Sequence, residues 1–317
     1  MRQMKTYNLL LVTAITGSLA IAATVANAAG TWVAVVPYPN STTTDAFGIT
    51  DQNIVAGSYL DSKGIEHGFV GPFNGSDYTS FDDSEKSTEP RAINDKGYIA
   101  GFAPGETLVP WERTPEGILT TVTHKGKPLN GIAQGMNSKG VFAGNYIDTD
   151  GISVGYLGQK SNFKSKFRLS INNSGYAGRA INGAGDIAGW YYDSSSVQHG
   201  FLISGGKAKS VDYPDAILTT IQGLNDRGVA TGQYEDSSGV THGFIYEVKS
   251  GKVTSIDAPG ATETQAWGIN NNDVIAVSTT TVGSFAYCIK KTNCPTPAAG
   301  ATQTLQRGIS KVPPAPL

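Results

Sequence analysis

The stretch GLNDRGVATGQYEDSSGVTHGF, residues 223–244, decides the fold, because its phrasing recurs along the chain. Aligned on the apolar residue at the centre of its first triplet, the repeats place Ile49, Ile93, Met136, Ile181, Leu224 and Ile269 in one column. The intervals are 44, 43, 45, 43 and 45 residues. A glycine follows at Gly57, Gly101, Gly144, Gly189 and Gly232, with Val277 in the sixth place. A His-Gly-Phe triplet stands at 67–69, 199–201 and 242–244. It becomes Val109-Pro110-Trp111 in the second unit, Val154-Gly155-Tyr156 in the third and Gly283-Ser284-Phe285 in the sixth. Three anchors at a fixed period mark a repeat architecture.

The fifth unit reads as four strands. Gly223-Leu224-Asn225 is the first, and Asp226-Arg227-Gly228 turns into the second, Val229 to Tyr234. Asp236-Ser237-Ser238-Gly239 is a hairpin turn, in which Asp bonds its own backbone and Gly accepts positive φ. Thr241 to Val248 is the third strand. Ser250-Gly251 turns again into Val253 to Asp257. Four short antiparallel strands in about 44 residues is the period of a propeller blade.

The sixth unit lacks a fourth strand, and the chain beyond Cys294 is Pro-rich. A matching strand stands instead at the other end, at Trp32 to Pro37. An open array has no reason to split one unit between its two ends, whereas a ring closed this way leaves no long sheet edge exposed. The expected fold is all-β: a six-bladed β-propeller with four-stranded blades over residues 29–294, closed by the N-terminal strand completing the last blade. Glycines in the second and third strands are expected to leave room for aromatics of the next blade, with Phe69, Tyr156, Phe201, Phe244 and Phe285 as core.

Residues 1–28 read as a secretory signal peptide: Arg2 and Lys5, an apolar run over 9–25, then Ala26-Asn27-Ala28 as cleavage site. A membrane anchor is the competing reading; the Ala- and Thr-rich run ending in a processing site argues against it. The expected location is periplasmic or extracellular. Removal of that leader leaves 22 basic and 26 acidic side chains, a formal charge of −4, so nucleic acid is not an expected partner. No further stretch approaches the roughly 20 apolar residues of a membrane span. Cys288 and Cys294 read as a small-loop disulfide in an exported chain, with free thiols as the alternative. Residues 295–317 read as a disordered tail.

The repeat phrase, Gly-Ile-Asn, turn, Ile-x-Gly-x-Tyr, Asp-Ser-x-Gly, His-Gly-Phe, resembles the extracellular repeat family named for its His-Ala-Phe triplet. Units two, three and six depart from it at the triplet. The resemblance implies an exported repeat protein and supplies no catalytic residues.

Several motifs carry chemistry on paper. His67, His199 and His242 share one place in units one, four and five, while His124 stands apart. Opposed blades would hold those positions roughly 20 Å apart or more, and zinc ligands must lie about 2 Å from the metal. A repeated structural hydrogen bond is therefore expected, with neither a metal nor a cofactor. Gly151-Ile152-Ser153-Val154-Gly155 matches a nucleophile elbow, but its glycines belong to the hairpin repeat and no strand-to-helix turn follows. Asp148-Thr149-Asp150-Gly151 lacks the later Glu of a calcium loop and reads as a turn. Asn94, Asn137, Asn182, Asn225 and Asn270 are expected to bond turn backbone.

Phe47, Arg91, Gln134, Arg179, Gln222 and Trp267 stand just before the repeated triplet and differ from unit to unit. Scaffold demands do not fix them, so they are expected to ring one mouth of the central channel as a ligand-binding set. Aromatic faces would take a sugar and guanidinium groups an anion. The competing expectation is that the arginines pair with acids such as Glu89 while the aromatics plug the channel. The functional reading is a monomeric, non-catalytic binding or interaction protein for a glycan, peptide, surface partner or small anionic ligand. An extracellular polymer hydrolase or lyase using loop carboxylates is the alternative; convergence of Asp45, Glu89 and Glu263 on Arg91 would favour it. A purely structural surface protein is the third.

Overall fold

The computed structural model describes residues 30–82, 87–290, 292 and 294. The turns follow from their residues. Asp236 Oδ1 accepts the N–H groups of Ser238 (2.8 Å) and Val240 (3.0 Å), and Gly239 sits at φ +80°. Asp61, Asp148 and Asp193 repeat this geometry in blades 1, 3 and 4. At Asp148 it confirms the turn reading of residues 148–151.

These turns join six antiparallel sheets, numbered as the sequence units. The inner strands are Thr43–Ile49, Glu89–Ile93, Gly131–Met136, Gly175–Ile181, Leu218–Leu224 and Thr264–Ile269. They begin several residues before the triplet from which the sequence placed them. The second strands are Ile54–Leu60, Ile99–Ala103, Val141–Ile147, Ile187–Tyr192, Val229–Glu235 and Val274–Thr279. The third are Glu66–Pro72, Val109–Arg113, Ser153–Gln159, Gln198–Ser204, Thr241–Glu247 and Phe285–Cys288. Blades 1 to 5 end on outer strands Thr79–Phe81, Leu119–Thr121, Asn162–Lys166, Lys207–Val211 and Val253–Ile256. Blade 6 takes its outer strand from the N-terminal side, Thr31–Ala34, which pairs antiparallel with Phe285–Cys288 in the register Trp32↔Tyr287 and Val33↔Ala286. The ring is a six-bladed β-propeller, closed as the split sixth unit requires.

Blade 3 departs from four strands. A short hairpin, Thr123–His124 and Lys127–Pro128, adds to its outer edge through a parallel pairing of Thr123 with Asn162.

Every inner strand carries a register shift, and in each the shift falls at the residue that varies between units. The unpaired position is Phe47, Arg91, Gln134, Arg179 or Gln222 in blades 1 to 5, and Trp267-Gly268 in blade 6. A bulge inserts one residue that has no cross-strand partner and re-aims its side chain. This also corrects the reading of the second-strand glycines. A Cβ at Gly232 would meet the carbonyl of Thr220, displaced by the bulge of its own blade, and Phe244 of its own third strand. The space serves the same sheet, not the next blade. Neighbouring blades approach instead at inner-strand glycines such as Gly135, with the Ala180 backbone against it, and Gly48, with Ile93. The aromatics behave as core: Phe69, Tyr156, Phe201 and Phe244 are fully buried and Phe285 nearly so.

Below the bulges, the repeated asparagines form a belt. Each Oδ1 accepts N–H groups within its own turn, as at Asn137 with Lys139 (3.0 Å) and Val141 (3.1 Å). Each Nδ2 then donates to the next blade: Asn94 to the Asn137 carbonyl (3.1 Å), Asn137 to Asn182 (3.1 Å), Asn182 to Asn225 (3.5 Å), Asn225 to Asn270 (3.1 Å) and Asn270 to Thr50 (2.9 Å). The sequence showed the turn bonds but not these inter-blade links. Blade 1 has Thr50 where the others have Asn, and its link to blade 2 runs instead from the Asp51 N–H to Asp95 Oδ1 (2.8 Å). Cys288 and Cys294 form a disulfide, their Cα atoms 5.4 Å apart. The leader, residues 1–28, and the tail, residues 295–317, lie outside the described residues.

Candidate functional site

The axial channel divides at the apolar column that aligned the repeats. Ile49, Ile93, Met136, Ile181, Leu224 and Ile269 line both of two chambers. The lower one is rimmed by the asparagine belt with Asp51, Asp95 and Asp226. Arg91 and Arg179 are the charged lining residues of the upper one, with Gln222 beside them.

Of the six residues expected at a mouth, Arg91, Arg179 and Gln222 line the upper chamber, and all six sit at bulges within the inner strands rather than at the strand ends. Their roles diverge. Phe47 and Trp267 pack edge to face, centroids 4.9 Å apart, and Trp267 Nε1 donates to Ser278 Oγ at 2.8 Å. The Arg91 guanidinium lies over both rings, 4.5 Å from Phe47 and 4.9 Å from Trp267, and pairs with Glu89 at 2.5 Å. Arg91 is thus paired with an acid, and the two aromatic rings are taken up by each other and by its guanidinium. Gln134 is buried, and its Nε2 has no partner.

Arg179 differs. It makes no hydrogen bond or ion pair with any described residue, and its Nε is enclosed without a partner. Burial, and then the positive charge of Arg91, push its pKa down to about 9 against the raising influence of Glu89 and Tyr192, so it remains a cation at neutral pH. Part of the residue still faces the open chamber, so its charge is incompletely desolvated. A cation held here without a counter-ion is costly unless an anion enters.

Acids collect on the blade 1 side. The pKa of Asp45 is raised to about 6, by burial first, then by Glu66 and Glu89, against the lowering influence of Arg91 and Ser284. Glu66 is raised by burial and then by Glu89, while Ser58 (2.7 Å) and Ser87 (3.0 Å) donate to it. Asp45 and Glu89 thus converge near Arg91, whereas Glu263 is not among the charges acting on Asp45. These contacts join different strands of blades 1 and 2, which sequence spacing did not reveal. A proton held more tightly in the folded state makes stability fall as pH rises from about 4 to about 6. Asp45→Asn should remove a decline on the order of 2 kcal/mol from that window. Urea unfolding of both proteins from pH 4 to 7 checks this; parallel curves would show that Asp45 titrates normally.

The histidines take up the structural bonds expected of them. His67 Nδ1 lies 3.0 Å from Asp82, His199 Nδ1 3.0 Å from Asp212 and His242 Nδ1 2.9 Å from Asp257. Each ring stacks on a tyrosine of the neighbouring strand: Tyr59, Tyr191 or Tyr234. Ser153 accepts from Asn145 of its own hairpin (3.1 Å) and donates to the Tyr176 carbonyl of blade 4 (3.2 Å).

No known family model and no curated protein matches the chain. Solved structures do. TolB from Acinetobacter baumannii aligns with a TM-score of 0.54 at 13% identity, over 75% of this chain and 64% of TolB. A gluconolactonase from Xanthomonas campestris aligns with a TM-score of 0.52 at 12% identity, over 83% of this chain and 91% of that one. A prolyl endopeptidase aligns at 0.50 and 12% identity, and this chain spans 41% of its length. At such identities the likeness shows the propeller fold alone, a scaffold that hosts binding proteins and enzymes alike.

Proposed function

We propose that the protein is an exported, non-catalytic binding module that holds a small anionic ligand in the upper chamber of its channel. The observation that carries this reading is Arg179, a cation whose side chain has no carboxylate within ion-pair distance, Glu89 acting on it only from further off, in a chamber with no acidic lining residue. A guanidinium presents a planar fork of donors that suits a carboxylate or other oxyanion. Gln222 lines the same space and adds neutral polar capacity. A glycan is the weaker choice, because Phe47 and Trp267 spend their ring faces on each other and on Arg91. The leader-like N-terminus and the His-Ala-Phe resemblance support the exported location.

Thermal melts at pH 7 with the sodium salts of acetate, succinate, citrate and phosphate test the proposal. At least one anion should raise the melting temperature of the wild type and not of Arg179→Met. Saturation at 100 times the dissociation constant stabilises by about 2.7 kcal/mol. The ligand-free variant should melt higher than the wild type, by about 1–3 kcal/mol of stability, because an unpaired buried charge has gone. A panel that shifts nothing, or a variant that melts lower, would contradict the reading.

The meeting of Asp45, Glu66 and Glu89 near Arg91 favours a second reading, an extracellular polymer hydrolase or lyase. A carboxyl group that burial keeps protonated to higher pH, with further carboxylates beside it, is a starting point for acid–base cleavage of a glycosidic bond. Turnover of an acidic or neutral polysaccharide that is lost in Asp45→Asn would establish it.

A further inference from the structure

The outer edge of blade 3 carries charge that nothing in the fold uses. Lys125, Lys127, Lys160, Lys164, Lys166 and Arg168, six of the 24 basic residues in the chain, are all exposed there. Residues 117–147 and 151–185 contain no Asp or Glu. Among the described residues the arginine and lysine ion pairs are Arg91–Glu89, Arg227–Asp273 and Lys252–Glu247, and none involves this edge. Lys166 rests over the Tyr146 ring at 5.4 Å and has no carboxylate within ion-pair distance, Asp148 acting on it from further off.

The edge is built rather than accidental. Among the described residues the hairpin Thr123–His124 and Lys127–Pro128 has no counterpart in the other five sheets. It is tied to the turn before the outer strand by the Thr123 N–H to the Ser161 carbonyl (3.1 Å), and His124 sits on Phe163 with ring centroids 4.2 Å apart. Glu112 reaches from blade 2 to accept the Ser161 N–H at 2.5 Å, so this acid braces the turn backbone. Both turn tips place lysine in the left-handed region, Lys125 at φ 51° and Lys160 at φ 51°. Asn or Gly is favoured at such positions, and a lysine there accepts backbone strain. Strain kept at an exposed tip to display a charge is a sign of use.

We propose that the outer edge of blade 3 is a docking surface for an acidic polysaccharide. Five of the six cations are lysines, compact charges on flexible stems, which suit repeated carboxylates at variable spacing better than one planar group. A bilayer fits less well, because no large apolar side chain is exposed within residues 123–128 or 160–168 to enter it. A single-stranded nucleic acid needs a free aromatic platform, and the His124 ring leans on Phe163 here. The surface is independent of the channel and of any ligand in it.

The test is binding of polygalacturonate to the full-length mature protein by titration calorimetry, with dextran as the neutral control. Polygalacturonate should bind and dextran should not, with affinity falling about tenfold or more from about 50 to about 200 mM salt. Reversing Lys125, Lys127, Lys164 and Lys166 to Glu should cut affinity at least about tenfold, while Arg179→Met should leave it unchanged. The pair Lys125→Gly and Lys160→Gly guards against misfolding of the reversal variant. It relieves both strained turns, so it should melt no lower than wild type and still bind more weakly. Absence of polygalacturonate binding at about 50 mM salt, unchanged affinity in the charge variants, or binding confined to phosphatidylglycerol vesicles or single-stranded DNA would overturn the proposal.

Discussion

Removal of residues 31–38 is expected to destroy cooperative folding or to lower the melting temperature by more than about 10 °C. The segment supplies the outer strand of blade 6, pairing along Thr31↔Cys288 to Ala34↔Phe285. Val33 and Val35 are both 6% exposed and belong to the cluster that joins blades 1 and 6. Trp32 packs on Tyr287 at 4.6 Å, and Tyr38 stacks on Tyr59 at 3.8 Å. Each such side chain contributes about 1.5–3 kcal/mol on burial, so four together approach the 5–15 kcal/mol that typically holds a domain folded. The deletion also exposes Phe285–Cys288 as an open sheet edge next to buried apolar side chains. Loss is therefore expected well beyond that of trimming a terminal arm. A melt within a degree or two of wild type would mean that the strand decorates the ring without closing it.

Asn225→Ala is expected to destabilise by about 2–4 kcal/mol without changing the lining of the upper chamber. Asn225 is 3% exposed and makes four bonds: Oδ1 accepts from Arg227 (3.1 Å) and Val229 (2.9 Å), while Nδ2 donates to the Asn270 carbonyl (3.1 Å) and to Asp273 Oδ1 (3.0 Å). Alanine leaves two buried N–H groups, a carbonyl and a carboxylate oxygen short of a partner, each at a cost of about 1–3 kcal/mol before water or relaxation restores some of it. The bonds to Asn270 and Asp273 cross from blade 5 to blade 6, so the damage reaches the seam between blades. Urea unfolding checks the magnitude. A change below about 0.5 kcal/mol would show that the belt is replaceable by water.

The repeat made the ring legible, and the unit divided between Trp32–Pro37 and Phe285 made its closure legible. Both depend on periodicity and on hydrophobic strands, which sequence displays directly. The bulges were hidden, since one extra residue on an inner strand leaves no mark in its composition. That single feature explains two differences. It sets Phe47, Arg91, Gln134, Arg179, Gln222 and Trp267 at unpaired positions within the inner strands, and the Thr220 carbonyl stands against Gly232, which the sequence had assigned to aromatic packing. Arg91 and Arg179 looked equivalent in sequence. Only the placement of Glu89 two residues before Arg91, with no acid at the corresponding place before Arg179, separates them, and Ala177 does stand there. The basic edge of blade 3 was written in NFKSK and HKGK, but about 35 residues lie between them, and the parallel pairing of Thr123 with Asn162 is what unites them.

Amide hydrogen exchange at residues 31–35, followed on the folded protein at neutral pH, tests the ring most directly. The Val35 N–H donates to the Ser284 carbonyl at 2.9 Å, and its neighbours lie in a four-residue ladder. A sealed ring predicts that these amides exchange as slowly as those of Val253–Ile256, the corresponding outer strand of blade 5. Exchange at free-peptide rates at 31–35, beside protection at Val253–Ile256, would contradict closure.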